Sequence, residues 1–331
     1  MRKRIVFVER RPSRSVSIER VFRQIAKDLS PDRFETEFQT VPFGNGLLAI
    51  LRNLISFRPL SADIYHITGD IHYISLILPR DRTILTIHDL VFLHRRRGLR
   101  RWVLKKLFLD LPLKRLRFVT AVSDATRDEI LTIAHADGDR ISVIDNPLLD
   151  GFALGERHFD GDCPVILHIG TAPNKNLENL IRAVSDIRCR LRIVGHLDDK
   201  IRQLLQTSRV AFENAFDLAE SEMADEYRNA DIVSFCSKYE GFGLPIIEAQ
   251  AMRKPVVTSD VAPMNVVAGK GAALVDPQDV ASMRNGILRL IRDPEYRNSL
   301  VEAGVENVKR FDGETIAERY EALYHSVLTD G

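Results

Sequence analysis

Cysteine is scarce in this 331-residue chain. There are three, Cys163, Cys189 and Cys236, which cannot all pair and show no metal-ligand spacing. A reducing cytoplasm fits them best. Long apolar runs are missing too: none approaches the roughly 18–20 residues that a membrane-spanning helix needs. The opening stretch, MRKRIVFVERR, has basic residues but an apolar run only from Ile5 to Val8. It is expected as a first β-strand rather than a signal peptide. Neither sign of charge dominates, with 47 Lys and Arg against 46 Asp and Glu, so nucleic acid is not implied as a partner. His66, His72, His168 and His196 lack partners at ligand spacing, so no metal is expected. No short repeat or low-complexity tract stands out.

What is present is ordinary soluble-protein composition, 45% hydrophobic and 28% charged, in a chain longer than one core usually serves. Short β-rich runs alternate with helical patterns from end to end. Strands are expected near 4–9, 35–42, 63–68, 82–88, 117–123 and 141–145, then near 164–169, 191–195, 209–213, 231–236, 255–259 and 272–275. Most are continuous apolar runs, as parallel strands covered on both faces require. "IERVFRQIAKDL" and "NLENLIRAVSDI" are among the helical segments between them. This alternation predicts right-handed βαβ crossovers, hence an α/β protein of two Rossmann-like, doubly wound domains. The join is expected near 150–163, where "LDGFALGERHFDGDCP" has glycines, acids and no clean period. The expected domains are residues 1–155 and 156–312. An amphipathic helix over 313–331 could belong to either, packing back on the N-terminal domain being one option; it shows Ile316, Tyr320, Leu323 and Val327 on one face.

Ligands of doubly wound folds lie beyond the carboxyl ends of the strands. In the first domain those ends carry "TGD" (68–70), "HDL" (88–90), "SDAT" (123–126) and "NPLLD" (146–150). In the second they carry "GTAPNKN" (170–176), "GH" (195–196), "KYEGFGLP" (238–245) and "SD" (259–260). Polar loops are unremarkable by themselves, but the stretch "KYEGFGLPIIEAQAM" says more. "DIVSFCS" is the strand, "KYEGFG" the turn, and Pro245 suits a first helical position. The helix then begins with free N–H groups and a positive dipole end, suited to an anion. Gly241 and Gly243 remove side chains where a phosphate must approach closely. Glu248, one turn into the helix, can accept hydrogen bonds from a vicinal diol such as ribose. Glu240, on the lip of the turn, can meet hydroxyls or developing positive charge. For one glutamate alone a solvent-facing acid on a capped turn is the plainer reading; the whole string favours a ligand site.

The block "YRNADIVSFCSKYEGFGLPIIEAQAMRKPVVTSD", followed by "AALVDPQD", resembles the donor-binding region of retaining glycosyltransferases of family 4, which have the GT-B fold. Their hallmark, Glu, seven residues, Glu, is matched by Glu240 and Glu248. "HIGTAPNKNLENLIRAV", "LTIHDLVF", "VTAVSDATRDEI" and "VIDNPLLDGF" extend the match in the expected order. The resemblance implies two domains facing each other across a cleft and a retaining, metal-independent transfer from a UDP- or GDP-sugar to a glycan, lipid-linked or polysaccharide acceptor. It implies that Glu248 binds ribose, that Glu240 lies by the donor sugar, and that Gly241, Phe242, Gly243 and Leu244 meet sugar and diphosphate through their amides. Lys175 would neutralise the leaving diphosphate, with Gly170, Thr171 and Asn174 in the same loop also at the donor, and His88 would face the donor sugar. In a same-face mechanism the leaving phosphate itself takes the acceptor proton. Three departures stand out. Asn174 sits directly before Lys175, where family members often have an arginine upstream of that lysine. "ERRPSRSVSIER" replaces a Gly-Gly turn after the first strand, leaving Arg11, Arg14 and Ser17 as possible substitutes. Asn265 replaces an acid.

Other signals read as local structure. The "DGD" triplets at 137–139 and 160–162 are expected as turns, His88–Asp89 alone could cap a short helix, and Ser123–Asp124 form an N-cap. The stretch 94–117 carries ten Lys or Arg and one acid, interleaved with Leu99, Trp102, Val103, Leu107 and Phe108. An ordinary domain helix with a solvated basic face and an amphipathic helix resting on an anionic membrane surface both fit it. Rival functions on the same fold are a sugar-nucleotide epimerase or phosphorylase, and a non-catalytic nucleotide-sugar-binding subunit.

Overall fold

The computed structural model describes residues 2–11, 17–44, 46–94, 96–134, 140–152 and 159–330. Arg14, the triplet 137–139 and much of the expected join at 150–163 lie outside the described residues. The chain forms two compact units, residues 1–147 with 312–331, and residues 148–311.

The first unit is built on six parallel strands: β1 (Lys3–Glu9), β2 (Phe34–Thr40), β3 (Ile64–Ile67), β4 (Thr83–Ile87), β5 (Phe118–Ala121) and β6 (Ile141–Val143). They lie in the order β2-β1-β3-β4-β5-β6. The second unit repeats the plan with β7 (Val165–Ile169), β8 (Arg190–Val194), β9 (Ala211–Ala215), β10 (Ile232–Phe235), β11 (Val256–Ser259) and β12 (Ala273–Val275), ordered β12-β11-β10-β7-β8-β9. Numbered within its own unit, that is the 3-2-1-4-5-6 order of dinucleotide-binding folds, whereas the first unit is flavodoxin-like. Each expected strand is present. Central strands such as "IVFV" and "TILTI" are wholly buried, which is why they read as mostly apolar runs without polar alternation.

Strand order reverses between β1 and β3 in one sheet and between β7 and β10 in the other. At those points neighbouring crossovers leave on opposite faces and open a crevice at the carboxyl edge. The crevice of the second unit therefore lies between the loop after β7 and the turn after β10.

The last helix, Gly313–Asp330, belongs to the first unit and packs on the helix Ser17–Asp28. Ile316, Tyr320 and Val327 are buried as their spacing requires, but Tyr324 rather than Leu323 completes the face. The Tyr324 hydroxyl and Thr86 Oγ1 lie 2.8 and 2.7 Å from the two ring nitrogens of His66, which burial holds near a pKa of 3. The helix expected over "NLENLIRAVSDI" spans only Leu177–Ala183 before the chain turns.

The basic stretch runs as helix Gly98–Lys105, a π turn Lys106–Asp110 and helix Leu111–Arg115. Pro112 has no N–H for the carbonyl four residues back, that of Phe108. Buried His72 supplies the missing donor, its Nδ1 lying 2.6 Å from Phe108 O.

Candidate active site

Two loops meet at the crevice of the second unit. After β7 the chain turns through Gly170, whose φ of 88° lies in the left-handed region. A Cβ there would stand 3.0 Å from the Lys175 stem, so the glycine makes room for the lysine to lie back across it. The Lys175 ammonium ends 2.7 Å from Glu240 Oε1 and 4.9 Å from the centre of the Phe235 ring at the end of β10. Residues 65 apart in sequence thus form one ion pair, with 24% of the lysine side chain and 14% of the glutamate exposed.

The two loops are tied by polar contacts. Asn174 donates from Nδ2 to Tyr239 O at 3.1 Å and accepts from Lys238 N at 2.7 Å. Asn176, left-handed at φ 67°, donates from Nδ2 to Cys236 O at 3.0 Å and Pro277 O at 2.7 Å. Thr171 turns its hydroxyl to His196 O at 2.7 Å. Asn174 thus ties the two loops through its side-chain amide and its main-chain carbonyl; it is a neutral residue before the lysine.

Gly243, at φ 125°, is the N-cap of the helix Leu244–Ala251, and no side chain caps that end. Pro245 falls at the second helical position, not the first, and like the first it needs no intrahelical N–H. The helix mouth thus presents main-chain dipoles beside the Lys175–Glu240 pair. Phe242 turns its ring inward, buried edge-on against Phe311 at 5.5 Å, so only its backbone remains for a ligand.

Glu248 lies one turn further in and is buried, its carboxylate accepting from the hydroxyl of fully buried Tyr227. Tyr227 comes from the helix Glu220–Arg228 and stacks edge-on to Phe152 at 5.3 Å. Gln250 and Asn307 anchor the same helix from behind. Asn307 Nδ2 donates to Gln250 Oε1 at 2.8 Å, and Gln250 Nε2 donates to Ala268 O at 2.9 Å. At the carboxyl ends of β8 and β9, His196 stacks on half-exposed Phe216 at 4.5 Å, its Nε2 3.0 Å from Asp217 Oδ1. None of Tyr227, Gln250 and Phe216 was singled out by the sequence. Tyr227 begins the "YRNAD" string, the one signal that pointed at it.

In the first unit His88 is buried after β4 and donates from Nε2 to Thr68 O at 3.0 Å. That bond fixes the tautomer and leaves Nδ1 as an acceptor. Burial depresses its pKa to about 4, so the ring is neutral at pH 7. Asp89 caps the short helix Val91–His94, its Oδ1 accepting from Val91 N at 2.9 Å. Ser123 Oγ accepts from Thr126 N at 3.1 Å, an N-cap for the helix Asp124–Ala134. At the carboxyl end of β1, Arg10 is bound to Glu19 at 2.7 Å and Asp70 at 3.2 Å. Asp160 Oδ1 accepts from Asp162 N and Cys163 N at 2.9 and 3.1 Å, making the second "DGD" triplet a turn. Among the described residues, no group of three His, Cys, Asp or Glu could hold a metal ion.

Residues 4–148 match the Glycosyltransferase Family 4 model, and residues 163–293 match Glycosyl transferases group 1. O-antigen chain mannosyltransferase RfbU of Salmonella typhimurium is 26% identical, over 75% of this chain and 72% of its own. O-antigen chain mannosyltransferase B of Escherichia coli is 27% identical, over 81% of this chain and 75% of its own. Among solved structures, sucrose-phosphate synthase of Thermosynechococcus elongatus superposes with a TM-score of 0.81 at 18% identity, covering both chains fully. HepE of Anabaena, solved with UDP-glucose, gives 0.80 at 17% identity over 98% of this chain and all of its own. Those structures share the fold, and the two family regions together span most of the sequence. The chain belongs to family 4 of the glycosyltransferases and is a transferase built on the GT-B fold.

Proposed function

We propose that this glycosyltransferase moves a sugar from a UDP- or GDP-sugar to a glycan, lipid-linked or polysaccharide acceptor, with retention and without a metal. The observation that carries this reading is the Lys175 ammonium held at the β7–β10 crevice, against Glu240 and beside the uncapped helix start at Gly243. When a nucleoside diphosphate departs, negative charge grows on its phosphates while the sugar becomes oxocarbenium-like. A fixed cation and a helix N-terminus stabilise that charge.

In this reading Glu248, oriented by Tyr227, accepts from the ribose hydroxyls. The Glu240 carboxylate, released from Lys175 by the incoming diphosphate, meets the donor sugar. The amides of Gly241 to Leu244 and the loop Gly170, Thr171 and Asn174 line the diphosphate, and the exposed ring of Phe216 offers a platform for the base. Neutral His88 offers Nδ1 to a sugar hydroxyl. In a same-face displacement the leaving phosphate takes the acceptor proton, so no side-chain base is required. Two relatives named as O-antigen chain mannosyltransferases make mannose the first donor sugar to try.

The test is thermal stability of the purified protein against a panel of nucleotide-sugars in EDTA, with Glu248→Ala and Lys175→Ala alongside. A ligand that binds only the folded state raises its melting temperature. A shift by one UDP- or GDP-sugar that each variant loses supports the assignment, and the anomer of the product, read by NMR, tests retention. No shift with any nucleotide-sugar, or a shift only with divalent cation, overturns it.

A further inference from the structure

The helix Leu47–Ser56 is exposed where it should be buried. Ile50 and Asn53 face inward, Asn53 donating to the Tyr73 hydroxyl at 2.8 Å. Yet Leu47, Leu48, Leu51 and Ile55 are 59, 61, 54 and 65% exposed. At 100° per residue these four fall within an arc of about 100°. That is a complete apolar stripe, on the side opposite the one the protein core uses.

The basic helix shares this side of the molecule. Ile50, Tyr73, Phe108 and Leu113 join one hydrophobic cluster with Val6, Ile67, Leu85 and Val119, so both helices cover the same face of the first sheet. The helix Leu47–Ser56 and the later turns of the basic stretch, Lys106–Arg115, also pack on the segment His72–Leu76. On the basic helix Leu99 and Trp102 are 75 and 58% exposed, among Arg100 and Arg101, which are exposed as well. A cavity of about 410 Å³ under its far end is lined by Lys105, Lys106, Lys114 and Arg140 with one acid, Asp110. The chain as a whole carries a net charge of +1, but the stretch 94–117 carries ten cations and a single acid.

We infer that this face, formed by the helix Leu47–Ser56 and the basic helix beginning at Gly98, docks the transferase on an anionic phospholipid surface. Leucines, isoleucine and tryptophan enter the acyl boundary while the flanking arginines and lysines meet lipid phosphates. Charge complementarity selects this occupant: apolar stripes interleaved with one sign of charge suit a bilayer interface, where the polar layer is anionic. No described helix is long and apolar enough to cross a membrane, so the contact is interfacial. The inference uses no property of the donor site and stands or falls separately from it.

The chain has a single tryptophan, Trp102, and it lies on this face. Its emission is recorded as the full-length protein is titrated with vesicles of phosphatidylcholine alone, or of phosphatidylcholine with phosphatidylglycerol, without nucleotide. Sedimentation of the same samples gives the bound fraction. The expected result is a blue shift and co-sedimentation with anionic vesicles only, quenching by lipids brominated in their acyl chains, and weakening as salt rises. Leu51→Glu and Ile55→Glu each reduce partitioning on the order of tenfold, as loss of one buried aliphatic side chain requires, while Arg100→Glu/Arg101→Glu removes the preference for anionic lipid. These positions are exposed, and an unchanged melting temperature confirms that the variants fold. Absence of vesicle binding overturns the inference, as does binding that neither set of variants reduces. A dimer seen by light scattering that Leu51→Glu dissolves, with no vesicle binding, assigns the face to a second copy instead.

Discussion

Replacing Glu240 with glutamine should make the protein bind a bare nucleoside diphosphate more tightly while it transfers sugar more slowly. The reason lies in the ligand-free site, where Lys175 is already engaged. At 2.7 Å, with an effective dielectric of about 20, the gross attraction between ammonium and carboxylate is about 6 kcal/mol. The desolvation of two partly exposed groups offsets most of it, leaving about 1–2 kcal/mol net. Under the proposed function, a diphosphate arriving at the crevice must displace or share that carboxylate, and it also meets the carboxylate's negative charge. Glu240→Gln removes both obstacles and keeps the shape, so affinity for UDP or GDP should rise about 5- to 30-fold. Turnover of the nucleotide-sugar should fall, because under the proposed function the carboxylate assigned to the donor sugar is gone. Calorimetric titration of wild type, Glu240→Gln, Lys175→Ala and the double variant completes a thermodynamic cycle. Lys175→Ala alone should lose affinity, and the gain from Glu240→Gln should shrink in its presence. Equal or weaker nucleotide binding by Glu240→Gln, or a gain that survives Lys175→Ala unchanged, would refute the claim that this pair gates the phosphate site.

Tyr227→Phe removes the hydroxyl that orients Glu248 but leaves the ring on Phe152. Loss of a hydrogen bond to a charged group should cost about 1.5–3 kcal/mol, seen as a raised KM for donor with a folded far-ultraviolet spectrum. Acid should destabilise both units through buried histidines. Burial depresses His66 to about 3 and His88 and His168 to about 4, from an ordinary 6.5. Below pH 6.5 the unfolded chain takes up protons that the folded chain refuses, so stability is full above that pH. It falls as pH drops toward 4, by about 3 kcal/mol at most for each of His88 and His168. Urea denaturation between pH 7.5 and 4.5 should show that slope, reduced in His168→Asn, and a slope unaltered by that change would count against the assignment. Gly271→Ala would place a Cβ 2.4 Å from Gly304 Cα and 2.6 Å from Gln250 Nε2, backbone on one side and an anchored amide on the other. Overpacking there should cost about 1–3 kcal/mol or more in a thermal melt and loosen the helix that carries Glu248.

The sheets were legible because their signal is local and redundant. A strand covered on both faces, such as "IVFV" in β1, is apolar at every position, and no competing pattern of that length was available. The crevice was legible for a related reason: the β7–β10 reversal brings two loops together, and both advertise themselves with glycines and charge. Its finer structure was not. Tyr227 reaches Glu248 across a whole β-strand of intervening chain, on a helix whose sequence, "ESEMADEYR", is polar enough to pass for a solvated surface. Arg10 looked no different from Arg11 in "ERRPSRS"; only the fold sets it against Glu19 and Asp70. Tyr324 displaced Leu323 because the buried His66 behind it needs a hydroxyl, a demand that hydrophobic period cannot express.

The helix Leu47–Ser56 shows the deepest reason why such readings stop short. "LLAILRNLIS" is apolar nearly all round, and for such a helix the pattern does not say which face meets the sheet. The choice is made by Asn53, the lone amide, whose side chain meets Phe43 N and O at 3.0 Å and the Tyr73 hydroxyl at 2.8 Å. An amide satisfied at both ends can be buried; one turned into the core without partners would cost more than a leucine gains. The asparagine therefore faces inward and the leucines face out, against the rule that the most hydrophobic side is the buried one. A sequence that spends its one polar inward position on such a clamp leaves four aliphatic side chains in water, an apolar stripe of the kind that marks interaction surfaces.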